Sequence, residues 1–417
     1  MKPSRSHPYA ARNMLRAALL AWVGLAGTPA PIQAHTLPSS NGLPPTTPSA
    51  TEQTWVWNLP EYVPPPRIPA DNPMSEARFQ LGRHLFYDTR LSGNQTQSCA
   101  SCHLQHLAFT DGHSVSTGST GEKTPRSAPS IANTAYHPTI TWANFSIQSL
   151  EKHATVPMFG DNPVEMGLTD NNKAAVLERF RQDPDDVARF SRAFPGESTP
   201  INMHNVILAL ANFMRGVTSF NARYDQVRQG KAQFSPAEAR GEKLFFSAKA
   251  QCSQCHGSFN FNDQVVDAST TQVAMPFHNT GLYNLDGKGA FPEGNQGIFE
   301  LSGKAEDMGA FRAPSLRNVA VTAPYMHDGS IATLQDVVDF YAAHGRNLSQ
   351  GASTGDGRAN PYKDARINRI ELSASDKADL VAFLHTLTDD SLLTNPRYAN
   401  PFPASTPIKV SVERSRM

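Results

Sequence analysis

The sequence predicts a mainly α fold of two tandem domains with long loops, and three observations predict it. A Cys-x-x-Cys-His pentad occurs twice, as Cys99-Ala-Ser-Cys102-His103 and as Cys252-Ser-Gln-Cys255-His256, and the two copies are separated by about the length of an ordinary domain. A similar helical stretch leads into each pentad, Leu81-Gly82-Arg-His-Leu-Phe86 before the first and Arg240-Gly241-Glu-Lys-Leu-Phe245 before the second, which makes an internal repeat. Strand-type alternation is weak throughout. The expected organisation is a signal peptide over 1–34, an extended Pro-rich arm over 35–73, an N-terminal domain over 74–230, a C-terminal domain over 231–395 and a tail over 396–417.

The pentads use every cysteine of the chain. In such a motif the two thiols add to the vinyl groups of a haem, and the adjoining histidine lies under the iron as its proximal ligand. Paired cysteines can also hold zinc, with Cys99, Cys102, Cys252 and Cys255 converging on one ion, or form a redox disulfide. Neither alternative requires a histidine directly after both pairs. Two covalently bound haem c groups are therefore the expected cofactors, and each domain is expected to be cytochrome c-like.

The elements follow in chain order. Lys2, Arg5, Arg12 and Arg16 precede an apolar stretch from Ala17 to Gly27, and small residues from Ala30 to Ala34 end it. This is the pattern of a cleaved signal peptide, with an apolar run too short to span a bilayer, and it predicts a mature chain from near His35 in the periplasm with no membrane span. A retained anchor is the alternative, disfavoured by that shortness. Lys plus Arg and Asp plus Glu both number 37, so overall charge suggests neither nucleic acid nor an anionic membrane as partner.

The arm carries Trp55-Val-Trp57 and Pro64-Pro-Pro66, a composition for extended chain. Ser75 is the expected N-cap of a helix from Glu76 to Phe86, and Ser235-Pro236-Ala-Glu238 opens another that runs to Phe246. Apolar periodicity predicts further helices over Ala174–Phe180, Ile201–Phe213, Thr333–Ala343 and Ser375–Leu387. Phe109–Pro129 and Phe259–Pro314 are long, Gly/Thr/Asn-rich loops, of the kind needed to wall a cofactor.

Several segments together carry a family resemblance: Gly82-Arg-His-Leu-Phe-Tyr-Asp88, Leu91-Ser92, Ser98 to His103, Phe109-Thr-Asp-Gly112, Ala313-Pro-Ser-Leu-Arg-Asn-Val-Ala320 and Ala323-Pro-Tyr-Met-His-Asp-Gly329. With them the chain, from about Pro73 to Thr388, resembles the bacterial di-haem cytochrome c peroxidase and MauG superfamily. Trp57-Asn-Leu-Pro60, Asp71-Asn-Pro-Met-Ser75, Gly118-Ser-Thr-Gly121, Ile140-Thr-Trp-Ala-Asn144 and Pro157-Met-Phe-Gly160 look most like its methanobactin-associated di-haem branch, MbnH.

The resemblance implies roles for individual residues. His103 becomes the proximal ligand of a peroxide-reactive haem and His256 that of an electron-relay haem. Ser119 stands where many family members place a histidine that blocks the first iron, which implies an open distal site, with His113 as a conceivable substitute. Glu165 matches the family's distal glutamate and is the expected acid–base group. His153 stands where the family has a glutamine, and the loop between these two is longer by two residues. Trp142 matches a tryptophan that carries charge between the haems. Tyr341 falls at the sixth-ligand position of the second iron, with His344 and Met326 as rivals, and a phenolate there favours higher oxidation states. Carbonyls at Thr322 and Pro324 match those of a family calcium ion whose asparagine ligand is replaced here by Ser127.

The expected function is that of a periplasmic enzyme which reacts with hydrogen peroxide, reaches a bis-Fe(IV)-like state, and oxidises a residue of a partner protein. By the branch resemblance that residue is a tryptophan, and the partner is a copper-binding, MbnP-like protein. Two alternatives stand beside it: a cytochrome c peroxidase fed by a small cytochrome or cupredoxin, and a non-catalytic electron-transfer cytochrome with both irons six-coordinate.

Overall fold

Helices make up nearly all the regular secondary structure of residues 55–402, which are the residues described by the computed structural model. The expected signal peptide, the arm up to 54 and the tail from 403 lie outside the described residues. In chain order the helices are α1 (Glu76–Tyr87), α2 (Leu150–Phe159), α3 (Lys173–Arg181), α4 (Pro184–Ala193), α5 (Met203–Gly216), α6 (Arg223–Arg228), α7 (Pro236–Phe245), α8 (Ser253–His256), α9 (Phe299–Ser302), α10 (Leu334–Ala342), α11 (Ala374–His385) and α12 (Asp390–Thr394). One short antiparallel pair, β1 (Asn347–Leu348) with β2 (Gly355–Asp356), is the named sheet among the described residues.

The caps fall where the side chains dictate. Ser75 accepts a hydrogen bond from the Arg78 amide at the start of α1, and Ser235 with Glu238 forms a reciprocal capping box around Pro236 at the start of α7. Two helices not expected from periodicity are also capped, α2 by Ser149 and α4 by Asp183 with Pro184 at its first position. Pro157 inside α2 and the Thr155-Val156 pair before it weaken the sequence signal there.

Two helix crossings build two aromatic cores. In the first, α1 meets α5 so closely that a Cβ on Gly82 would lie 1.9 Å from the Ala209 carbonyl oxygen. Phe79, Phe86, Phe109 and Phe213 pack there without solvent contact. In the second, α7 meets α11, where a Cβ on Gly241 would lie 2.0 Å from the Asp379 carbonyl oxygen, and Phe245, Phe261 and Phe383 fill the space. The repeated glycine of the two lead-ins is thus the residue that lets each helix pair close. The arm from Trp55 to Pro73 forms no helix or strand; Trp55 packs at a tilt against Phe79, with ring centres 5.1 Å apart, and Val63 joins Tyr136 and Phe220 in a small cluster of its own. Leu392 and Tyr398, close to the C-terminus, return to the first core.

Candidate active site

Each pentad sits in a tight turn, a 3-10 turn over Cys99–Ser101 and the short α8 over Ser253–His256. His103 Nδ1 lies 2.8 Å from the Phe109 carbonyl oxygen, and His256 Nδ1 lies 2.9 Å from that of Phe261. A carbonyl can only accept, so each ring carries its proton on Nδ1 and leaves the Nε2 lone pair free for a metal. Phe109 and Phe261 hold left-handed backbone, φ 63° and 54°, to turn these carbonyls inward. Ser130 and Ser315 bond the carbonyls just before them, those of Ala108 and Asn260, at 2.6 Å in both cases. A second repeat follows, Pro129-Ser-Ile-Ala-Asn-Thr-Ala135 against Pro314-Ser-Leu-Arg-Asn-Val-Ala320. It was visible in the sequence as Pro-Ser-x-x-Asn-x-Ala, although periodicity alone does not find it.

Burial pushes the thiols up, Cys99 and Cys252 to about 12 and Cys102 to about 11, so they are not poised as thiolates for zinc or disulfide exchange. None of the metal-type clusters among the described residues joins the two cysteine pairs. Two thiols beside an imidazole with a free Nε2, at the wall of an apolar cavity, are a donor set that fits a covalently held haem at each pentad.

The smaller cavity contains Cys99, Cys102, His103, His153 and Glu165 in its lining. His153 projects from α2, whose neighbouring Glu151 pairs with Arg215 of α5 at 2.6 Å and fixes the helix. Burial, with the charges of His103 and Arg312 adding to it, pulls His153 down to about 4, so the ring is neutral; its Nδ1 has no partner among the described residues. Burial raises the Glu165 carboxyl above its ordinary value. Glu165 is carried on a loop clamped to the 118–119 turn: the Ser119 amide donates to the Glu165 carbonyl at 2.8 Å, and a Cβ on Gly118 would lie 1.9 Å from the Val164 carbonyl oxygen. Ser119 does not line this cavity, and His113 is exposed and borders the other one. The structure thus brings His103, His153 and Glu165 together and puts no histidine of the 113–119 loop among them.

The larger cavity is bordered by Cys252, Cys255, His256 and Tyr341, and also by the chain from Thr110 to His113 that follows the first pentad. Tyr341 stands in the last turn of α10, its phenol pushed up by burial. Of its rivals, Met326 borders the cavity, whereas His344 is outside the lining and holds its Nε2 against the Ile370 carbonyl at 2.8 Å. Trp142 lines the same cavity, half-buried, with Nε1 donating to the Ser127 carbonyl at 2.9 Å. Thr322, Pro324 and Ser127 line it too, and the Ser127 hydroxyl donates to the carbonyls of Met326 and His327. A calcium site takes roughly six to eight oxygens and usually carboxylates among them, so these residues do not make one by themselves.

The profile of the family described as di-haem cytochrome c peroxidase matches residues 76–233. The chain is 34% identical over 344 residues to the cytochrome-c peroxidase IdrP1 of Denitromonas iodatirespirans, an alignment covering 78% of this chain and 85% of that protein. It is 30% identical over 341 residues to the methylamine utilization protein MauG of Methylorubrum extorquens, covering 81% and 85%. Among solved structures, a MauG-like protein associated with microbial copper homeostasis matches with a TM-score of 0.82 and 56% identity, over 83% of this chain and 99% of that one.

Proposed function

The chain belongs to the di-haem cytochrome c peroxidase family, and from that premise we propose that it is a periplasmic enzyme which uses hydrogen peroxide to oxidise a tryptophan of a copper-binding partner protein. Di-haem oxidoreductases of this type use peroxide as oxidant. The observation that carries the finer reading is the lining of the smaller cavity, where Glu165 and neutral His153 accompany His103 and no loop histidine intrudes. The likeness to the MauG-like protein of copper homeostasis supports the choice of partner. The paired helix crossings support reading 74–230 and 231–395 as two tandem haem domains.

Haem bound at the two pentads would supply the iron that takes up peroxide and the capacity to hold two oxidising equivalents. The protein side chains supply the rest. Glu165 takes the proton from the nearer peroxide oxygen and returns it to the departing one, and burial, by raising its carboxyl, makes it a better base than an ordinary glutamate. His153, neutral and with an Nδ1 that has no partner among the described residues, in its Nδ1–H tautomer donates a hydrogen bond to the oxygen on which charge develops. Trp142, which lines the larger cavity together with the 110–113 chain, is on this reading the indole that passes charge between the two sites. Tyr341 would present its phenolic oxygen to the second iron.

The test is electron paramagnetic resonance on the resting ferric enzyme together with peroxide mixing in the absence of reductant. A high-spin ferric signal and a direct reaction are expected, followed by kynurenine in the partner detected by mass spectrometry. The second reading, a cytochrome c peroxidase, draws on the 34% identity to IdrP1; it gains the case if the enzyme reacts only after half-reduction.

A further inference from the structure

Arg312 is a buried cation with no carboxylate in contact with it among the described residues. It is 3% exposed, and its guanidinium makes two polar contacts among the described residues: Nε donates to the Thr141 carbonyl at 3.2 Å, and Nη1 faces His137 Nδ1 at 3.2 Å. Asp263 acts on it through space, but that carboxylate is bonded to His278 Nε2 at 2.6 Å. Burial pulls the guanidinium down to about 10. An arginine desolvated in this way without an anion is strongly unfavourable.

The contact with His137 does not relieve it. The Ser219 amide donates to Asn133 Oδ1 at 2.8 Å, so Asn133 Nδ2 is the donor to Asn260 Oδ1 at 3.0 Å. Asn260 must then present its Nδ2 to His137 Nε2, at 3.2 Å. His137 Nε2 accepts, and the neutral ring therefore carries its proton on Nδ1. Two N–H donors, His137 Nδ1 and Arg312 Nη1, face each other with no acceptor between them. Both residues line the larger cavity, together with Cys252, Cys255 and His256.

What satisfies two convergent donors and a buried positive charge is a carboxylate. We propose that Arg312 and His137 form a carboxylate pocket that receives a propionate of the haem attached at Cys252 and Cys255. The pocket is built on the chain that carries Trp142: the Arg312 amide donates to the Trp142 carbonyl at 2.9 Å, and its Nε holds the Thr141 carbonyl. Seating the propionate fixes this segment, which makes Arg312 a positioning residue for the indole, and the guanidinium offsets a negative charge beside the second iron. The inference rests on a haem occupying the larger cavity and not on which substrate is oxidised.

The test uses the holoenzyme. Arg312→Gln should retain two haems per chain by pyridine haemochromogen assay, while the midpoint potential of the second haem falls, because the ferric form gains from an uncompensated propionate; Arg312→Lys should recover most of the shift. A crystal structure of the wild-type holoenzyme should show a propionate oxygen within hydrogen-bond distance of both Arg312 and His137 Nδ1. An unchanged potential in Arg312→Gln with both haems present, or propionates directed elsewhere in the crystal structure, overturns the proposal. If Arg312→Gln does not accumulate, the Lys variant and the wild-type crystal structure decide. Absence of a high-spin resting signal alongside a shifted potential would sink the peroxide reading and leave this pocket standing.

Discussion

Glu165 is the residue on which the chemistry of the smaller cavity turns, since it is the one carboxylate in that lining. Replacing it by glutamine keeps size and polarity but removes proton transfer, so Glu165→Gln should slow the reaction with peroxide by roughly 10²–10⁴-fold in stopped-flow mixing, with haem content and resting spectrum unchanged. The pH dependence has a definite sign. Burial raises this carboxyl, so its base form appears at higher pH than that of an ordinary glutamate, and the rate should rise with pH through that raised pKa. Glu165→Gln should flatten the profile. His153, held near 4, stays neutral across the same range and contributes no step of its own. The pentads were legible because covalent attachment demands adjacent residues, and a local pattern survives in sequence. Arg312 and His137 were not, because they stand 175 positions apart and only the fold brings them together.

At the scale of elements, the repeated lead-ins Leu81-Gly82 and Arg240-Gly241 were readable as a repeat, while the reason for the glycine was not. Each glycine lies at a helix crossing whose other member, α5 or α11, is more than a hundred residues further along the chain. Adding one methyl group at Gly241 must push α11 away, since the Asp379 carbonyl oxygen would lie only 2.0 Å off. Gly241→Ala should therefore destabilise the holoenzyme by about 1–3 kcal/mol, the usual cost of overpacking, measured as a lowered Tm. An unchanged Tm would mean that the crossing accommodates the added methyl group. Helix α2 shows the converse limit of sequence reading. Its internal Pro157 argues against a helix locally, and tertiary support from the Glu151–Arg215 pair holds it in place, bringing His153 to the cavity.

Across the whole molecule, distant segments meet at buried charge and at the larger cavity. Asp225 of α6 receives two bonds from Arg317 Nη1, at 3.1 and 3.0 Å, and one from the Tyr62 hydroxyl of the arm, while Arg317 also donates to the Phe259 carbonyl. Removing one partner strands a buried charge, so Asp225→Ala should cost about 3–5 kcal/mol and loosen the arm, read as earlier proteolysis before the first core unfolds. The larger cavity supports a sharper expectation about the two irons. If Tyr341 supplies the sixth ligand, Tyr341→Phe removes the only phenol in the last turn of α10 and leaves the second iron open. Its resting spectrum should then gain a second high-spin ferric component. His344→Ala should change nothing there, because that ring is already committed to the Ile370 carbonyl. Trp142→Phe should leave both resting signals and the initial peroxide reaction intact while slowing partner oxidation, since the indole lines the larger cavity and not the smaller one. A Trp142→Phe enzyme that oxidises its partner at the wild-type rate would remove the indole from the path and leave it a packing residue tied to the Ser127 carbonyl.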